Sequence, residues 1–110
     1  MESGDALLRR VKSSHLVLLL ALAEHGSLRR AAEASGTTQP AATRLLRNLE
    51  GAIGQPLFER HPKGLRPTAF GTVMIRHARA VRADLDRTAG EISALSSGYV
   101  GTLRIGSIPS

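Results

Sequence analysis

The segment from Thr68 to Leu95 limits the fold more than any other part of the chain. It holds no proline, and past its first turn its single glycine is Gly90. Side chains able to pack recur at Met74, Ala78, Val81, Leu85, Thr88, Ile92 and Leu95. The steps alternate between four and three, a heptad stripe held over three repeats. A helix of this length spans roughly 40 Å. The chain has 110 residues, room for one compact domain and an appendage. No other segment is long enough to cover such a stripe. A second copy of the chain is therefore expected to, in preference to the helix folding back on its own domain.

What precedes the stripe is also expected to be helical. Two Phe, one Tyr and no Trp leave an aliphatic core, which favours helix packing over a β-sandwich. Arg9, Arg10 and Lys12 stand before the apolar run Leu16 to Ala23, an order that resembles a secretory signal. Signal cores run ~7–15 apolar residues and membrane spans need ~20, so a buried helix fits better. Ser13 and Ser14 are its cap candidates and Gly26 its stop. Ser27 caps a second helix, Leu28 to about Ala34. "SGT", Ser35 to Thr37, turns on Gly36, and a third helix runs from near Thr38 to about Ala52. Two short helices joined by a glycine turn, with alanines where they meet, form a helix-turn-helix pattern.

The character changes in "GQPLFERHPKGLRPT", Gly54 to Thr68, where "LFER" and "GLRPT" read as short strands joined by "HPKG". A hairpin in this place is a wing. Thr68 caps the long helix. The predicted fold is mainly α: a winged helix-turn-helix of three helices and a two-stranded wing, then a dimerising linker helix. The expected divisions are residues 1–68 for the winged domain, 69–96 for the linker helix, and 97–110 for a hinge and the first strand of a truncated domain. Val100, Leu103 and Ile105 suggest that strand.

The third helix opens on Thr38-Gln39-Pro40. Thr38 offers its oxygen to a free amide of the first turn, and Pro40 is tolerated there because its missing N–H would have no partner in the helix. With Ala42, Leu45, Leu46 and Leu49 turned inward, Gln39, Thr43, Arg44 and Arg47 are left outward. Gln pairs with adenine, Arg with guanine or phosphate, and Thr with a phosphate or a thymine methyl, so this helix start suits a DNA major groove. The net charge of +6 and a pI near 11.3 favour a polyanion partner. Met1 to Thr68 carries ten Lys/Arg against six Asp/Glu.

No cysteine is present, which excludes disulfides and thiol chemistry and suits a reducing compartment, the cytoplasm. His15, His25, His61 and His77 are scattered, without metal-ligand spacing, and no glycine-rich loop follows a strand. No catalytic residue, metal or cofactor is expected, and the chain is read as no enzyme. A rival reading makes the long helix the function, as a protein-interaction module, and the basic face incidental.

"SLRRAAEASGTTQPAATRLLRNLEGAIGQPLFER" resembles the signature of LysR-type transcriptional regulators. The matching features are Ala31-Ala32, Thr38-Gln39-Pro40-Ala41, Thr43-Arg44, Leu49-Glu50, Ile53-Gly54 and Leu57-Phe58-x-Arg60. "RPTAFG", Arg66 to Gly71, is also like the family, and the likeness covers about residues 14 to 96. Thr stands twice for Ser, keeping the hydroxyl, and Ser35 stands where the family has a buried leucine, a change expected to loosen the turn. Another winged-helix type, the molybdate-responsive regulators, has a similar N-terminal part. The resemblance implies a domain that binds partly palindromic double-stranded promoter DNA as a homodimer or homotetramer, with no membrane partner. It implies a small-molecule co-inducer, held by a C-terminal domain absent from this chain. It implies that Gln39, Pro40, Thr43 and Arg44 face the major groove, beside the capping Thr38. Arg60, Lys63 and Arg66 would belong to the wing near phosphate or the minor groove, with Thr68 close to the backbone and Arg29 and Arg30 on phosphates.

Overall fold

The computed structural model describes residues 3–104, with side chains described as far as residue 98. In chain order the elements are α1 (Gly4–Arg10), α2 (Ser13–His25), α3 (Leu28–Ala34), α4 (Gln39–Ile53), β1 (Phe58–His61), β2 (Gly64–Pro67) and α5 (Ala69–Arg104). The chain divides into two compact units, one closing at Arg79 and one beginning at Ala80.

The first unit is built on leucine and alanine. Leu18, Leu19 and Leu22 of α2 meet Ala31 and Ala32 of α3, and Ala42, Leu46 and Leu49 of α4; Leu57, Phe58, Ile75 and Ala78 complete the cluster. The largest fully buried side chains are all leucines: Leu18, Leu19, Leu22, Leu49 and Leu57. Each contributes about 1.5–3 kcal/mol by leaving water. The alanines keep the three helices close. The expectation of an aliphatic helical core is met.

Local chemistry sets most helix ends as the sequence predicts. Ser27 Oγ accepts from the Arg30 amide at 3.1 Å, and Thr38 Oγ1 from the Ala41 amide at 3.3 Å. Gly36 turns between α3 and α4 with φ 72°. The start of α2 corrects the sequence reading. Neither Ser13 nor Ser14 caps it; both lie inside the helix, and Lys12 holds the cap position. The Lys12 amide donates instead to Nδ1 of His15 at 2.9 Å. His15 thus folds back from the third helical position, the place Glu or Gln takes in a capping box. Its ring is buried, and burial together with the neighbouring Lys12 charge pulls its pKa below 6.5. The neutral imidazole so favoured is the form whose Nδ1 can accept.

β1 and β2 pair antiparallel, with Phe58 opposite Pro67, Glu59 opposite Arg66, Arg60 opposite Leu65 and His61 opposite Gly64. Pro62 and Lys63 make the turn. The hairpin hangs on the end of α2: the Leu65 amide donates to the Gly26 carbonyl at 2.8 Å. A Cβ on Gly64 would stand 2.4 Å from that same oxygen, and Gly64 adopts φ 127°. Both facts require glycine there.

A second set of bonds joins the hairpin to its flanking helices. Glu50 Oε2 accepts from the Leu57 amide at 2.7 Å, closing the loop after α4. The Thr68 amide donates to the Leu57 carbonyl at 2.9 Å. Thr68 Oγ1 donates to the Pro56 carbonyl at 2.7 Å and accepts from the Gly71 amide at 3.1 Å, capping α5 as expected. Gly71 is pressed so close that a Cβ would fall 1.9 Å from the Leu57 oxygen. Ser35 is half-buried, and its Oγ is buried without a hydrogen-bond partner among the described residues.

α5 is longer than the linker helix expected over 69–96. It continues to Arg104, so Val100 and Leu103 are helical where a strand was expected, and the hinge from residue 97 is helix as well. Ile105 lies outside the described residues. No proline interrupts this stretch, and a lone strand would leave its backbone groups unpaired. The stripe is also divided. Ala78 is 1% exposed within the first unit's own core, and half-buried Met74 packs against that core. Ile75, off the heptad, is buried with them.

In the second unit Arg87 bonds both Asp84 and Glu91, three residues before it and four after. Thr88 donates its hydroxyl to the Asp84 carbonyl at 2.8 Å. Leu85, Ile92 and Leu95 are 59%, 58% and 56% exposed. Among the described residues no helix is long and apolar enough to cross a membrane.

Candidate nucleic-acid interface

Three segments distant in sequence meet in one open groove of about 550 Å³. The first turn of α3 gives Arg29 and Arg30, α4 gives Gln39, and the hairpin gives Arg60 and Lys63. Each position has a local cause. Ser27 aims α3 by capping it. The glycine turn and Thr38 cap place Gln39 as the first residue of α4. The Gly26–Leu65 bond draws the hairpin alongside. No Asp or Glu lines the groove.

Four cations therefore face one concavity without a carboxylate in it. Arg29 is bonded to Glu33 at 3.0 Å across a turn of α3, both side chains being exposed, a pair worth little in water and easily exchanged. Arg30, Arg60 and Lys63 make no ion pair with other described residues. An anion entering here meets several cationic donors from three elements, which suits a phosphate backbone.

The other residues singled out in the sequence fall outside this groove. Thr38, Pro40 and Arg44 are exposed on the first turns of α4. Thr43 is half-buried, and its hydroxyl donates to the Gln39 carbonyl at 2.9 Å, within the helix. Its methyl and an oxygen lone pair are what it has left to offer. Arg66 is exposed on β2, opposite Glu59. Thr68 is half-buried, and its hydroxyl is committed to Pro56 and Gly71, so its work is at the junction of hairpin and α5. Sequence reasoning missed His25, Ser27 and His61, which also line the groove. His61 Nδ1 accepts from the Lys63 amide at 3.3 Å and steadies the turn. Only its place next to the "PKG" turn could have drawn notice to it. Among the described residues, no three His, Asp or Glu gather in a way that could hold a metal.

The family profile described as "Bacterial regulatory helix-turn-helix protein, lysR family" matches residues 13–72, which is α2 through the start of α5. The chain belongs to the LysR family. Among its LysR relatives, the HTH-type transcriptional regulator GbpR of Azospirillum brasilense is 43% identical over 99 residues, 90% of this chain and 29% of that protein. The small neutral protease regulatory protein of Streptomyces coelicolor is 40% identical over 87% of this chain and 29% of its own. The chain thus spans under a third of either relative. Solved structures agree. DarR of Vibrio fischeri in complex with DNA aligns at TM-score 0.70 and 33% identity, over 79% of this chain and 30% of that one. The BenM DNA-binding domain on catB site 1 DNA aligns at TM-score 0.75 and 26% identity, over 81% of this chain and 99% of that one. The LysR likeness thus covers the helix-turn-helix, the hairpin and the beginning of α5.

Proposed function

We propose that this chain is the part of a LysR-family transcriptional regulator that reads double-stranded promoter DNA. The observation that carries the proposal is the groove, where Arg29, Arg30, Gln39, Arg60 and Lys63 converge from α3, α4 and the hairpin with no carboxylate among them. α4 enters the major groove by its first turns. Gln39 and Arg44 read base edges, while Thr38, Pro40 and Thr43 set and flank that helix start. Arg60, Lys63 and Arg66 grip the backbone or the minor groove beside the site, and Arg29 and Arg30 neutralise phosphates. Thr68 acts by holding the wing against α5.

The finer reading extends to assembly. Two chains pair through Val81, Leu85, Ile92 and Leu95 of α5, so that two helix-turn-helices meet a partly palindromic site, and two dimers form a tetramer. The complete regulator adds a C-terminal domain that takes a small-molecule co-inducer, works in the cytoplasm and catalyses nothing. The solved DNA complexes of DarR and BenM support the DNA reading, and the exposure of Leu85, Ile92 and Leu95 supports pairing.

The test is fluorescence anisotropy of this chain with duplex DNA from upstream of its own gene, beside a scrambled duplex, at two salt concentrations. Tighter binding to the upstream duplex, weakening steeply with salt, is expected. No binding to either duplex at low salt would overturn the proposal in favour of a protein-interaction module.

A further inference from the structure

A second recess, of about 400 Å³, lies on α5 at the root of the wing and belongs to no step described so far. Its two walls differ. Leu65 and Pro67 of the hairpin, with the buried Leu22 and Ile75 at the base, are apolar. Thr72, Arg76 and Arg79 lie along α5, at steps of four and three, so they share one face of the helix. Their side chains make no hydrogen bond or ion pair with other described residues, and no Asp or Glu lines the recess. We infer that this recess binds a small amphipathic anion, an apolar body of one or two rings bearing a single carboxylate.

The chemistry follows from the walls. Arg76 and Arg79 stand one turn apart and can both address one carboxylate, whose planar oxygens match a guanidinium fork. Thr72 adds a hydroxyl donor. The apolar side accepts what a bare phosphate lacks, a body to remove from water. The volume falls in the range of small-ligand sites, about 300–1,000 Å³. A DNA phosphate would use the arginines and leave the apolar wall unfilled, which is why the small molecule is favoured. The site includes Leu65, whose amide holds the hairpin to Gly26. The bound molecule therefore touches the residue that seats the wing, and that amide reports on it.

The test uses the whole 110-residue chain, labelled with nitrogen-15 and titrated with 2-naphthoate. Saturable shifts centred on the Leu65, Ile75 and Arg79 amides are expected. The neutral isostere 2-naphthalenemethanol should bind at least tenfold more weakly, and so should 2-naphthoate to the Arg76→Gln/Arg79→Gln variant. Both arginines are exposed, and an unchanged melting temperature shows that the variant is folded; should it melt lower, the isostere comparison on the unaltered chain decides. Shifts that do not saturate, or that centre on Arg60 and Lys63, would overturn the inference. Equal binding of the neutral isostere would do the same. So would inorganic phosphate competing at equal concentration, an outcome that marks the arginines as a plain anion contact of the kind DNA makes.

Discussion

Gly71 shows how much one hydrogen atom can decide. Its place in "RPTAFG" is legible as a family resemblance, but the reason is not, because the atom it must avoid is the carbonyl of Leu57, fourteen residues earlier. A Cβ there would fall 1.9 Å from that oxygen. Gly71→Ala must push α5 away from the hairpin. Forced packing of this kind costs about 1–3 kcal/mol, and a lower melting temperature with weaker DNA binding is expected. An unchanged melting temperature would show that the junction yields freely. His15 is a second case. Serine is the usual cap, so Ser13 and Ser14 drew the sequence reading, and the buried ring that does the work was overlooked. Its folded pKa lies below 6.5, so the unfolded chain takes up its proton first as pH falls. This contribution to stability is complete above about pH 6.5 and shrinks as pH falls from there to the lowered folded value. Thermal unfolding between pH 5 and pH 8 should follow that course. In His15→Gln, which keeps an acceptor without a titrating ring, this part of the dependence should vanish.

Elements divide the labour of the groove. α4 offers Gln39 at its exposed start, and the hairpin offers Arg60 and Lys63. Removing the Gln39 side chain should cost about 1–3 kcal/mol on the operator and little on random DNA, which relaxes specificity. Equal losses on both would show that Gln39 reads no base. Lys63→Ala should weaken binding to every sequence and lower the salt slope by about 1. A slope that stays put would take Lys63 off the phosphates. The elements themselves were legible where a local rule governs: Gly36 and Thr38 mark the turn and the start of α4, and "HPKG" marks the hairpin. The groove was legible only as separate residues, since three segments make it and the Gly26–Leu65 bond that gathers them is main chain. The far end of α5 differs from expectation because Val100, Leu103 and Ile105 suggest a strand, yet no proline before Arg104 forbids the helix from continuing.

At the scale of the whole molecule, the heptad stripe has two fates. Its first two members, Met74 and Ala78, go to the domain's own core, whereas Leu85, Ile92 and Leu95 stay more than half exposed. Periodicity alone cannot separate these, because a buried face and a waiting face repeat alike. Leu85→Asp places a charge on the waiting part and should yield a monomer in sedimentation without loss of helix; a persisting dimer would locate the subunit contact elsewhere. DNA affinity should fall in this variant, since two linked sites bind far more tightly than one.

The wing is seated by the Gly26 carbonyl, and a carbonyl has no side chain to exchange. Substitutions along the hairpin at positions other than Gly64 can recast the groups it presents without touching the peg from which the hairpin hangs. A scan by alanine would meet that peg at Gly64, whose added Cβ would press on it, and would pass over it at the other hairpin positions. Replacing the Leu65 amide with an ester, which deletes one proton and no side chain, would expose it. A lineage of such proteins can therefore revise its contacts by ordinary drift and keep its aim.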